Sequence, residues 1–259
     1  MKYLKETDIN KLNAKSVKKD ETFLFECHAN LKCFNICCRN LKLFLYPYDV
    51  IKLKGALNIS SDAFIDKHTD IVIRQDVCFP EVLLKMAENE QKICPFLREK
   101  GCSVYDARPY SCRTFPMEQG LAYNEDKKEA ETVYFFKPPE FCEGKNENKE
   151  WTPETWIKDQ EAVLYNKKTI LWSQIKSLFY QYPPWTPETS DHPKLKAAFM
   201  ALYNIDKFRE FVFSSTFLKR YKIKPDLKRR IKKDDDALLS LGFAFVKLYL
   251  WNVSSKIIK

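Results

Sequence analysis

At 259 residues, 45% of them hydrophobic and 31% charged, the chain is long enough to bury a substantial apolar core as one large or two small domains, and it needs no covalent staples merely to fold. Its formal charge of +9 counts every cysteine as neutral. It comes from scattered lysines, such as Lys2, Lys5, Lys11, Lys15, Lys18 and Lys19, that read as a solvated face and speak against nucleic-acid binding. Five glycines in the whole chain argue against a glycine-rich phosphate loop and the nucleotide folds built on one.

Residues 1–22 form a polar lead-in, charged and broken by Asp8, Asn10 and Asn13. With no apolar run before a small-residue cleavage site, no secretory signal is expected, and a reducing cytoplasm is the default compartment. The organised part is expected to begin at Phe23-Leu24-Phe25. Leu41, Leu43 and Leu45 alternate as in a short strand. Pro47 then sits in the first turn of a helix that Gly55 is placed to stop, and Ser60-Ser61-Asp62 opens a second helix. Pro80 to Met86 and Thr132 to Phe136 are rich in strand formers.

After the polar run Gly144 to Glu150, Trp-Thr-Pro-Glu-Thr occurs at 151–155 and again at 185–189. In each copy threonine can cap a helix and proline can occupy its first position, so two independent helix starts are expected. Residues 152–182 and 193–220 read as helical. Ala237 to Val253 is almost wholly apolar but shorter than the roughly 20 residues of a membrane span, and it reads as a buried C-terminal helix. The expected fold is α+β and mainly helical, with a cysteine-rich domain of short strands over 23–149 and a helical region over 150–259 that is free for a protein partner.

All nine cysteines lie in the first 142 residues. In a chain that can bury a core, and in a reducing compartment, clustered cysteines serve as metal ligands or reactive groups more often than as structural disulfides. Their spacing is Cys27-x5-Cys33-x3-Cys37-Cys38, then Cys94-x7-Cys102-x9-Cys112, and last Cys142. Thiolates are soft donors suited to zinc, iron and iron-sulfur clusters such as a 4Fe-4S cluster.

The adjacent pair Cys37-Cys38 poses a geometric problem. Sulfurs around one tetrahedral zinc lie about 3.8 Å apart, whereas neighbouring residues direct their side chains roughly 100° to 180° apart. Either the pair serves two centres, or one member ligates and the other packs. Eight cysteines suffice for two four-thiolate sites, leaving Cys78, beside Phe79 and Pro80, as a small core residue. The conservative reading is one centre drawn from Cys37 or Cys38 with Cys94, Cys102 and Cys112. Arg39, Arg108 and Arg113 flank these cysteines, where a guanidinium would favour a negative metal-thiolate group; a surface ion pair with Asp106 or Glu99 is the plainer role for the last two. His28 reads as a solvent-facing imidazole. No C-x3-C-x2-C run of the kind used in radical chemistry is present.

Three stretches resemble the YkgJ-type cysteine-cluster family of zinc- or iron-chelating domains, whose signature is C-x-x-C-x-x-C-C. They are Cys33-Phe-Asn-Ile-Cys37-Cys38-Arg39, Pro47-Tyr-Asp49-Val-Ile-Lys-Leu53, and Cys94-Pro-Phe-Leu through Gly101-Cys-Ser-Val-Tyr105-Asp-Ala-Arg108-Pro-Tyr-Ser-Cys112-Arg113-Thr-Phe-Pro116. Phe141-Cys142-Glu-Gly144 is similar to the family's late cysteine. The first two spacings depart from the signature, being five and three rather than two and two. The resemblance covers residues 23–145 and implies metal binding. Some relatives are linked to lysine methylation of flagellin, so an iron-sulfur enzyme, an oxidoreductase or a protein lysine methylase, is the alternative function; no methyl-donor site is recognisable.

Overall fold

A computed structural model describes residues 2–4, 15–73, 78–124, 129–186 and 192–259. The second Trp-Thr-Pro-Glu-Thr helix start falls largely on 187–191 and lies outside them. The fold is α+β and mainly helical. It divides into two units that interleave along the sequence, Met1–Leu41 with Met86–Ser173 and Lys42–Lys85 with Gln174–Lys259.

The first unit is built on the antiparallel pair Met117–Asn124 and Glu129–Phe136, the latter three residues longer at its start than the β-rich run at Thr132 suggests. The polar lead-in supplies both edges of this sheet, Lys2–Leu4 parallel to residues 120–122 and Lys15–Val17 antiparallel to residues 134–136. Val17 is buried there with Phe23, Phe25, Met117, Cys142 and Trp156, so the chain is ordered ahead of Phe23. Aromatic edges make this core: the Trp156 ring meets Phe25 edge-on at 5.5 Å and Trp151 at 5.2 Å, the T-shaped arrangement that ring quadrupoles favour. Both indoles are satisfied, Trp156 Nε1 donating to Thr114 O at 2.9 Å and Trp151 Nε1 to Phe25 O at 2.8 Å.

Trp156 is held in place by the helix Pro153–Asp159. Its start matches the expectation: Thr152 Oγ1 accepts from Thr155 N, Thr155 Oγ1 accepts from Thr152 N, and Pro153 fills the first turn. The helical stretch then breaks at Glu161, which adopts a left-handed φ of 51°, and resumes as Val163–Gln181.

In the second unit, Glu81–Leu84 pairs antiparallel with Phe44–Leu45 on one side and Thr69–Val72 on the other. The helix Pro47–Leu57 starts where proline requires, but it runs past Gly55 and ends at Asn58, whose φ of 52° makes a left-handed cap that asparagine tolerates. Ser60 caps Ser61–His68 through Ala63 N. The stretch 193–220 is three helices, Pro193–Leu202, Ile205–Ser214 and Phe217–Arg220, with Asn204 capping the second. The C-terminal helix Asp235–Trp251 packs against Pro47–Leu57, Pro193–Leu202 and Ile205–Ser214, among others, and buries Leu238, Leu241, Phe245 and Val246. Among the described residues no helix is long and apolar enough to cross a membrane.

Candidate metal centre

Eight cysteines fall in the first unit and Cys78 in the second. Cys78 is buried; its thiol donates to Phe179 O at 3.3 Å and its carbonyl accepts from Trp185 Nε1, so it packs and hydrogen-bonds as a core residue.

Cys37 and Cys38 lie in the 3-10 turn Ile36–Cys38, bounded by Asn35 and Asn40, both left-handed with φ of 65° and 50°. Three residues per turn set neighbouring side chains about 120° apart, yet the Cys38 thiol hydrogen-bonds Cys37, so the two thiols stay in contact across one peptide. Cys38 N donates to Asn35 O at 3.1 Å, while Cys38 O accepts from Cys94 N at 2.9 Å and Arg39 bridges to Ile93 in antiparallel register.

Cys94 begins a tight turn, closed by Leu97 N donating to Cys94 O at 3.0 Å. The amides of Phe96 and Leu97 also hydrogen-bond the Cys94 sulfur. Leu97 pairs with Cys102 and Arg98 with Gly101 in a small hairpin. Gly101 has a φ of 119°, which a side chain would strain. Cys112 is on the short helix Tyr110–Thr114.

Cys142 repeats the arrangement of Cys94, with the amides of Gly144 and Lys145 donating to its sulfur. Glu143 N donates to Cys33 Sγ at 3.2 Å, Lys32 N to Glu143 Oε2 at 3.0 Å, and Glu26 N to Gly144 O at 3.1 Å. A Cβ on Gly144 would lie 2.5 Å from Glu26 O. Glycine is what lets the segment before Cys27 approach the turn after Cys142 so closely.

The electrostatics sort the thiols. Burial pushes Cys27 up to about 11, and it is raised further by the charges of Cys37, Cys142 and Cys33. Cys142 is raised by burial and by Cys33 and Cys37, against its two amide donors. Cys94 is raised by burial and by Cys102, again against amide donors. The hydrogen bond from the Cys38 thiol brings Cys37 down to about 7 in spite of burial, and its own amide and Arg39 add to that. Cys38 is pushed up by the same hydrogen bond, by burial, and by Cys37, Cys94 and Cys112.

Of the three arginines, Arg39 donates to Gln91 Oε1 and Asn35 O and favours the Cys37 thiolate. Arg108 stacks 3.9 Å over Tyr105, donates to Tyr105 O and Gln160 Oε1, and feels Cys112 and Cys102. Arg113, only 2% exposed, turns inward: it donates to Gln160 O and Asp106 O, lies over the Tyr165 ring, and approaches Glu161 at 3.8 Å. It thereby reaches the carbonyl of Gln160, the residue that caps the C-terminal end of the Pro153–Asp159 helix, where a cation is favoured.

Among the described residues, the set of three ligand atoms within 4.8 Å of one another is Glu26, His28 and Glu147. Among the described residues, no three of the sulfurs lie within 4.8 Å of one another. His28 is half-exposed with Nε2 3.7 Å from Glu147 Oε2, and Glu26 is ion-paired to Lys149 at 3.6 Å. Spacing in the sequence gives no hint of Glu26 or Glu147. The amides of Phe96, Leu97, Gly144 and Lys145 were equally hidden, although Gly144 two places after Cys142 is the kind of residue such a turn needs.

A sequence model of the family CxxCxxCC, described as a "putative zinc- or iron-chelating domain", matches residues 26–155. No curated protein and no solved structure matches the chain.

Proposed function

Since this chain belongs to the CxxCxxCC family of zinc- or iron-chelating domains, we propose that it is a cytoplasmic protein whose clustered thiolates hold zinc, or iron in an iron-sulfur cluster, in a structural or accessory role. The observation that carries this reading is the pair of turns after Cys94 and Cys142, each aiming two backbone amides at a sulfur. Burial raises both thiols, and these donors work against it by favouring the thiolate, the form that binds metal. The donor set is soft and anionic, with Arg39 and Arg108 close enough to offset its charge, and this suits zinc or iron. Bound zinc would cross-link the loops; a cluster would add one-electron redox capacity. Thiolate ligation needs a reducing compartment, which supports the cytoplasm.

Anaerobic purification of the full chain, followed by metal analysis and absorption spectroscopy, tests the reading. Stoichiometric zinc in a colourless protein supports the zinc form; iron and sulfide with broad visible absorption support the cluster. Protein that retains neither metal after anaerobic loading overturns the proposal.

A further inference from the structure

The lysines of the lead-in are scattered, but the charge of the chain as a whole is not. Between Lys219 and Lys233 stand nine lysines and arginines against one acid, Asp226, a net +8 of the formal +9. All nine are exposed. Lys256 and Lys259 join them in space: Ile223 bridges Ile258 in antiparallel register, and Lys222 N and Lys259 N each donate to the other's carbonyl, at 3.0 and 3.3 Å. Lys222, Lys224, Lys256 and Lys259 thereby edge a groove of 290 Å³ whose floor includes Ile223 and Ile258. From Lys224 the strip continues onto the helix Pro225–Arg230, where Lys228, four residues on, is its neighbour along one face and donates its amide to Lys224 O at 3.0 Å.

Acids offset little of this charge. Among the described residues, the ion pairs made by these eleven side chains are Arg229 with Asp226 at 3.1 Å and Arg230 with Asp234 at 3.0 Å. Lys228, Arg229 and Arg230 have a local reason to be basic, since they lie in the last turn of a helix. Lys222, Lys224, Lys232, Lys233, Lys256 and Lys259 have none, and like charges crowded together repel.

We propose that this strip is a docking surface for the phosphate backbone of nucleic acid, bound without regard to base sequence. A polyphosphate is met by exposed point charges, which release its condensed counterions. A protein partner or a bilayer calls for something else: the centres of protein interfaces are poor in lysine and rich in aromatic side chains, and helices that lie on membranes set exposed tryptophan, phenylalanine or leucine beside their charges. No large apolar or aromatic side chain of 219–233 or 255–259 is exposed. Tyr221, Ile223, Leu227 and Ile257 are half-buried, and Ile231 and Ile258 are buried.

The test is fluorescence anisotropy of a short labelled DNA duplex of arbitrary sequence, titrated with the anaerobically purified full chain at rising salt, beside co-sedimentation with vesicles of phosphatidylcholine and phosphatidylserine. One variant combines Lys222→Ala, Lys224→Ala and Lys256→Ala at the groove, and a second combines Lys228→Ala, Lys232→Ala and Lys233→Ala. A third removes the same charge elsewhere, as Lys18→Ala, Lys67→Ala and Lys158→Ala. All nine side chains are exposed, and circular dichroism verifies folding. Binding should fall steeply with salt. Each of the first two variants should weaken it by more than about tenfold and lower the salt slope by about three, one per lysine, while the third changes it by less than about twofold. Absence of binding at low salt overturns the proposal, as does a third variant as weak as the other two, which would leave net charge alone as the cause. Vesicle binding that the groove variant abolishes, with DNA binding untouched, would assign the surface to an anionic membrane instead.

Discussion

In the unit formed by Lys42–Lys85 and Gln174–Lys259, long helices bury one another: Phe64, Leu202, Phe208, Phe217 and Leu238 are wholly or almost wholly out of water, and Phe208 stacks at 5.8 Å on Phe245. An ionic network lies within this unit. Lys54 Nζ lies 2.9 Å from both Asp206 and Asp235, Arg209 pairs with the same two carboxylates, and Asp206 accepts from Ser61 N at 2.7 Å. The unit formed by Met1–Leu41 and Met86–Ser173 has instead a modest aromatic core under one sheet, and the segments that carry its cysteines are loops, short turns, a two-residue strand and a five-residue helix. Apolar area grows with helix length, whereas short loops bury little and need a cross-link of another kind. Metal ligation supplies one.

The contrast is broken most forcefully by removing the metal. Structural zinc contributes roughly 10–16 kcal/mol in small thiolate domains, so chelation should release the amides of 27–38 and 93–102 to rapid hydrogen exchange while those of 193–202 and 235–251 keep their protection. Equal loss in both units would erase the distinction. The reverse experiment is Phe208→Ala, which should cost about 3–5 kcal/mol in denaturant unfolding of the helical unit and leave the metal content intact.

A smaller effect is expected for Lys54→Met. Stranding two partly buried carboxylates costs about 3 kcal/mol, the low end of the range for broken buried pairs, because Arg209 remains with both. Burial alone would raise the Asp206 carboxyl, but Lys54 and the Ser61 amide more than offset that and hold it below the ordinary 3.8. A depressed carboxyl stabilises the fold above its ordinary value, and the contribution is lost as pH falls through the depressed one. The wild type should therefore lose stability on acidification below about pH 4, and Lys54→Met should lose less over the same range, as followed by thermal melts. The smallest effect belongs to Thr152→Ala, about 1 kcal/mol from the lost cap on the helix carrying Trp156.

What could be read from the sequence was local. Pro47, Ser60 and the Thr152-Pro153 pair mark helix starts because capping depends on a few adjacent residues. The breaks at Glu161 and at Tyr203-Asn204 carry no proline or glycine, so two long helical stretches read as unbroken. Lys2–Leu4 and Lys15–Val17 are strands through pairing with a hairpin more than a hundred residues away, and their polar composition conceals it. Long-range packing also gathers Lys42–Lys85 with the C-terminal helices, which no linear composition shift announces. At the site, the cysteines and arginines declare themselves by type, but their grouping depends on the backbone: two left-handed asparagines, a 3-10 turn, and amide donors that have no letter of their own.

X-ray absorption at the edge of the bound metal tests the central claim most directly. Thiolate ligation predicts a first shell of sulfur at about 2.3 Å. A shell of nitrogen and oxygen at about 2.0–2.2 Å, the donors that Glu26, His28 and Glu147 would supply, would contradict it.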